Sequence, residues 1–473
     1  MRIYMISLML LATLYSCKKN TDNDNSYAYF GGEIINPTND YVLLHSAGTN
    51  SDTLFLDSNN RFLTKLENLK PGIYTFSHGG EYQIALLEGR DSVMLRLNTA
   101  DFDESLVFTG EGAKKNNFLI KIFLQNEKDQ EKFISFAQLT PDLFERHIDS
   151  TRTERLNEFS EFSSKNQLSP LFNNIAETSI NYGLYNAMEM YPFGYYGYRN
   201  LKKHEELPST FYDYRKDIDY NNTALSDNFI YNKFLYSHFN NIALKAFYNE
   251  APEDAIFTRH SLIYNLEKLR LMNEHISDDT IKNKLLKYTA RDFISRCEDS
   301  TETAQIISSY LEKSTNTEDK DYIKGLSVAL KQLRPGNVIP DVALVNYDNN
   351  LFKLSDLITK PTVIYFWSSN LKIHYKNSHF KSQELAEKYP DIDFIAININ
   401  DSDNRYWKKT LSEFNFPTNN EYQFENPNAG KQTLAINTIY KMIVVDKEMR
   451  IVDSYYNMFQ KRFEDVLQKL SDK

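Results

Sequence analysis

The chain carries little that could do chemistry. It has two cysteines, Cys17 and Cys297, too few for a disulfide framework. His374 and His379 flank the stretch "YKNS". A spacing of five does not stack two imidazoles on one helix face as four would, so the pair reads as a helix start with two surface histidines, not as a metal site. Ser368-Ser369 close a hydrophobic run and lack nucleophile-elbow glycines, so capping or turn duty is expected of them. The paired acids Asp278-Asp279 and Asp401 with Asp403 fall in loops or at helix starts, where capping explains them. Gly79-Gly80, Gly110 and Gly112 lack phosphate-loop spacing, so nucleotide binding is unsupported. No cofactor and no metal is expected.

Cys17 has a special context. Residues 1–16, "MRIYMISLMLLATLYS", combine Arg2, an apolar run from Ile6 to Leu14, and Ser16. That run is too short to span a bilayer and reads as a signal peptide. It resembles a bacterial lipoprotein signal, with Leu14, Ser16 and Cys17 at lipobox positions; Tyr15 departs from the pattern. The resemblance implies cleavage before Cys17, a thioether-linked diacylglyceryl group and palmitate-type acylation. Each buried CH₂ contributes about 0.8 kcal/mol, so several chains make a stable membrane anchor. The expected place is the cell envelope, at the outer membrane rather than the inner, which Lys18-Lys19 would suit. Residues 17–26 read as a polar tether.

The elements that would position any site fall into three stretches. A chain of 473 residues predicts two or three domains. A net charge of −10 argues against a nucleic-acid partner, whose phosphates need a basic face. From residue 27 to 112, short runs such as "YAYFGGEII", "DTLFLD" and "SVMLRLN" alternate with turn signals, predicting an antiparallel β-sandwich. From 113 to 333, apolar residues recur three and four apart, predicting an α-helical middle domain, with Ser226 as one helix cap. From 334 to 473, the order β-α-β-α-β-β-α after a hairpin predicts an α/β domain.

That last stretch resembles the membrane-anchored thioredoxin-like thiol-disulfide oxidoreductases of the TlpA/ResA type and their peroxiredoxin relatives. "RPGNVIPDVAL" resembles the family's opening motif, "PTVIYFWSS" the strand before its active site, and "MIVVDKEMRIV" its last strand pair. The sandwich resembles the module preceding such domains in Bacteroidetes lipoproteins. The resemblance implies two thiols two residues apart and a cis-proline. Aligned on Trp367, the thiol positions hold Leu371 and His374; aligned on Asp446, the cis-proline position holds Tyr440. A thiolate nucleophile and a resolving thiol are both required for exchange, and neither side chain supplies one.

The expectation is therefore a membrane-anchored envelope protein with a degenerate thioredoxin-like domain, serving a protein or peptide partner by binding or scaffolding. The alternative is oxidoreductase or peroxiredoxin-like activity through a partner's thiols or through Cys297, expected to be buried in a helix. Outside the C-terminal stretch, the run "MYPFGYYGYRN" is the best binding candidate; its plainer reading is a packed helix connection.

Overall fold

In the computed structural model, the described residues are 27–46, 51–197, 200–201, 206–250, 252, 256–400, 405–454 and 457–471. The signal peptide, Cys17, the tether, Asp401 and Asp403 lie outside them. The chain forms two compact units: one of residues up to 36, 40–76 and 83–121, the other of 37–39, 77–82 and 122–473.

The first unit is built on β1 (Tyr27–Ile35), β2 (Tyr41–Ser46), β3 (Asp52–Phe55), β4 (Arg61–Glu67), β5 (Gly72–His78), β6 (Glu81–Leu87), β7 (Ser92–Asn98) and β8 (Val107–Glu111). Two four-stranded sheets form, ordered β4-β1-β7-β8 and β3-β2-β5-β6. Alternating side chains of each sheet turn inward. Phe30 of β1 and Phe76 of β5 meet with ring centroids 5.8 Å apart, joining the two faces. The expected purely antiparallel sandwich needs correction: β1 pairs with β7 in parallel. The intervening strands supply the long crossover that a parallel pair requires. The short strand β8, on the edge of its sheet, was also not expected.

The second unit contains the helices and the C-terminal sheet. α1 (Ala113–Phe136) passes from the first unit into it. Then come α2 (Pro141–Lys165), α3 (Pro170–Tyr195), α4 (Phe229–Ile242), α5 (Leu244–Glu250), α6 (Leu262–His275), α7 (Asp279–Ile294), α8 (Ser300–Lys313) and α9 (Thr317–Gln332). Asp278 caps α7 by accepting from Ile281 N–H. The cap of α4 is Asn228, not Ser226: its side chain accepts from Ile230 and Tyr231 N–H, while Ser226 ends a preceding 3₁₀ turn. Helices α3 and α4 pack through Tyr182 on Phe234, stacked at 4.4 Å. Glu189 of α3 is fully buried and satisfied by Arg215, by the Tyr214 hydroxyl at 2.8 Å and by His238 at 2.7 Å.

The aromatic run is partly core. It forms the end of α3, where Tyr191 is buried against Phe144 at 4.3 Å and donates its hydroxyl to the Leu139 carbonyl. Tyr195 stacks on Tyr191; Tyr198 lies outside the described residues.

The C-terminal sheet has seven strands: β9 (Ala343–Asn346), β10 (Leu351–Lys353), β11 (Thr362–Trp367), β12 (Asp393–Asn398), β13 (Glu421–Phe424), β14 (Met442–Val445) and β15 (Ile451–Asp453). Their order is β10-β9-β13-β12-β11-β14-β15. β11, β12 and β13 are parallel, β14 runs antiparallel to β11, and β15 runs antiparallel to β14. The chain connects them through α10 (Leu354–Leu357), α11 (Lys372–Lys388), α12 (Arg405–Glu413) and α13 (Pro427–Thr433), then ends in α14 (Lys461–Ser471). Every residue of β11 is buried, as a central strand covered on both faces must be. This parallel core with an antiparallel pair beside the strand that feeds α11 is a thioredoxin-like arrangement. β13 is the strand missing from the expected order; four residues, "EYQF", are too few to show a period. Among the described residues no helix is long and apolar enough to cross a membrane.

Candidate functional site

The junction from β11 into α11 is the place where the resemblance puts chemistry. Trp367 ends β11 fully buried. Ser368 and Ser369 make the turn. The Ser368 hydroxyl accepts from Asn370 N–H at 3.3 Å, and Ser369 N–H donates to Asn400 Oδ1 at 2.8 Å. Leu371, half-buried, takes the N-cap position of α11 but offers no capping oxygen. His374 lies in the first turn, buried, with its ring edge-on to Tyr440 at 4.9 Å. His374 and Tyr440 thus meet at the start of α11, with Leu371 at the preceding N-cap position, while the described residues contain no cis peptide bond.

His374 is a poor base there. Burial, with a smaller contribution from the charge of His379, drives its imidazole down to about 4. Its Nδ1 finds no hydrogen-bond partner among the described residues, and its Nε2 lies 3.3 Å from the Ser378 hydroxyl. The ring is neutral across the physiological range.

Further along α11 lies a polar group that the sequence reading missed. His379 is 2% exposed, not a surface residue. The expectation failed because α11 leans on the sheet with this face: Tyr375 and Ser382, one turn to either side, are buried too. His379 Nδ1 lies 2.7 Å from the Tyr375 carbonyl, which can only accept, so that nitrogen carries a proton. Its Nε2 faces Glu421 Oε1 at 2.9 Å, and Glu421 Oε2 accepts from Trp367 Nε1 at 3.2 Å. Burial pushes the Glu421 carboxyl above its ordinary range, opposed by the hydrogen bond from His379 and then by its charge. One proton is held between imidazole and carboxyl, sealed under Phe416, which stacks on His379 at 4.2 Å.

This pair has no nucleophile to serve. Both nitrogens of His379 are committed, and the Ser382 hydroxyl donates instead to the His379 carbonyl at 2.9 Å. The geometry is that of a satisfied core network and not of a triad, whose base must reach its nucleophile. Nothing in "EYQF" signals a buried carboxylate; only the sheet register places Glu421 opposite Ala396 on β12.

Cys297 is not in a helix. It sits in the turn between α7 and α8, partly exposed. Its Sγ lies 3.4 Å from the Asp299 carbonyl and 3.6 Å from Glu302 Oε2. Burial and the neighbouring Glu302 raise its pKa, with hydrogen bonds from Thr303 and Asp299 opposing them. Such surroundings keep a thiol protonated, the reverse of what activates a cysteine. No group of three or more potential metal ligands occurs among the described residues.

No known family pattern and no curated protein matches the chain. Solved structures do. The thioredoxin domain of a thiol-disulfide oxidoreductase from Bacteroides vulgatus is 20% identical over 29% of this chain and 97% of its own, with a TM-score of 0.25. A thiol:disulfide interchange protein from a Bacteroides species is 17% identical over 30% and 93%, with a TM-score of 0.26. The thioredoxin-like description of the C-terminal sheet stands on its strand order.

Proposed function

We propose that this chain is a lipid-anchored envelope protein whose thioredoxin-like domain binds a protein or peptide partner and does not exchange disulfides. The observation that carries this reading is the set of side chains at the start of α11. At the positions the resemblance assigns to two thiols, the start of α11 carries Leu371 and a buried His374 whose ring meets Tyr440. Leucine has no lone pair to attack sulfur, and an imidazole can move a proton but cannot take the place of a resolving thiol. Cys297, in a setting that favours the thiol, gives no support to a one-cysteine mechanism. Membrane attachment through Cys17 belongs to this reading on the strength of the lipobox-like residues alone.

Insulin reduction by purified mature protein tests it. The expected result is no dithiol-dependent turnover above buffer, with or without Cys297→Ala. Turnover that survives Cys297→Ala would overturn the reading.

A further inference from the structure

A cleft of about 760 Å³ lies in the second unit between α7 and the loop 437–441. Its volume is in the range of ligand sites. The two walls are tied at one end, where Asn437 Nδ2 donates to the Ser295 hydroxyl at 2.8 Å. Tyr288 and Tyr440 leave 45% and 49% of their surfaces exposed, so aromatic faces stand open beside polar groups. The side-chain amide of Gln460 makes no hydrogen bond to a described residue. Aromatic faces beside planar amides suit a peptide, whose backbone offers both donors and acceptors.

The charges select the kind of peptide. Lys441 lines the cleft but is 6% exposed, and its ammonium donates to one group, the Ala435 carbonyl at 3.0 Å. No carboxylate among the described residues pairs with it. Burial alone drives Lys441 down to about 7, so none of the three acids lining the cleft, Asp292, Glu298 and Asp453, compensates it. Arg291 rests over the Tyr288 ring at 5.3 Å with no carboxylate ion-paired to it among the described residues. By contrast, Arg296 and Asp292 answer each other at 3.1 Å. Two cations in this cleft therefore lack a counter-ion.

We propose that this cleft binds an acidic peptide, with Lys441 and Arg291 as the residues that hold its carboxylate. The proposal rests on the binding role assigned above and supplies its site and ligand chemistry. A bound carboxylate stabilises the ammonium form of Lys441, so binding takes up a proton at neutral and alkaline pH. Affinity then falls by up to about tenfold per pH unit above 7, because the free protein must gain the proton that the complex keeps.

The test is fluorescence anisotropy of a labelled hexapeptide with two central glutamates, titrated with full-length protein from pH 6 to 9. Its glutamine counterpart is titrated in parallel. The expected result is tighter binding of the glutamate peptide, weakening above pH 7. Lys441→Met abolishes the pH slope and lowers affinity on the order of tenfold; Arg291→Ala lowers affinity but keeps the slope. Arg291→Ala leaves Lys441 in place, so it reports on the site even if Lys441→Met misfolds by circular dichroism. Equal binding of the two peptides, or affinity indifferent to Arg291→Ala, overturns the proposal. The insulin assay reports separately on the reading beneath it: no turnover together with no glutamate preference removes this site and leaves the binding role standing.

Discussion

Single residues set the pH range in which this protein is stable, and His374 shows how. Its imidazole titrates near 6.5 in an unfolded chain and near 4 in the fold, because burial penalises the charged ring. The unfolded chain therefore binds more protons between those values. Stability is complete above pH 6.5 and declines as pH falls toward 4. The loss approaches about 3 kcal/mol if His374 acts alone. Urea midpoints at pH 7 and 4.5 measure it. His374→Phe, which keeps an aromatic edge for Tyr440, is expected to remove much of the difference between those two midpoints. An unchanged difference would show that other groups carry the acid sensitivity. The buried Glu421 works in the opposite sense: its raised pKa means that the folded state resists ionising it as pH rises.

Elements are where sequence and structure agree best and where the limits of the sequence are plainest. The hydrophobic run of β11 announced a strand buried on both faces, and the hairpin of β9 and β10 turns at Asn349, whose φ of +66° suits asparagine. Four-residue strands such as β13 are too short to show a period, and parallel pairing of β1 with β7 is set by chain crossover, which no local pattern encodes. His379 was misplaced because amphipathicity in α11 is weak: polar side chains occupy its inner face, His379 and Ser382 finding partners distant in sequence in Glu421 and Tyr365. Lys441 and Glu421 were invisible for the same reason, since a lone charge in a polar stretch does not reveal its burial. Glycine positions, by contrast, were legible as turns but not as strict requirements. Gly110 on β8 has φ +88°, and a Cβ there would sit 2.0 Å from the Ser92 carbonyl oxygen. Gly110→Ala is expected to destabilise the first unit by at least about 1–3 kcal/mol, through strain and the displaced β7–β8 pairing. Thermal unfolding of the variant beside wild type measures this; an unaltered transition would show that the edge strand yields freely.

At the scale of the whole molecule, the proposed reading would set a chain of net charge −10 at a membrane surface. Anionic lipid headgroups repel such a charge, and the described residues include no spanning helix. The proposed acyl anchor at Cys17 needs no basic face, so it is compatible with that charge. A polar tether from Lys18 to Ser26 would then let folded units stand off the bilayer, where a binding cleft needs access to its partner. The prediction concerns where the protein goes when that sulfur is removed. Detergent phase partitioning of cells expressing the full chain should place the wild type in the detergent phase. Cys17→Ser should move it to the aqueous phase while leaving its thermal transition unchanged. Mass spectrometry of the N-terminal peptide should show acyl mass on wild type only. If Cys17→Ser still partitions into detergent, attachment runs through the folded units themselves, and the cleft would have to be reconsidered as a surface pressed against lipid.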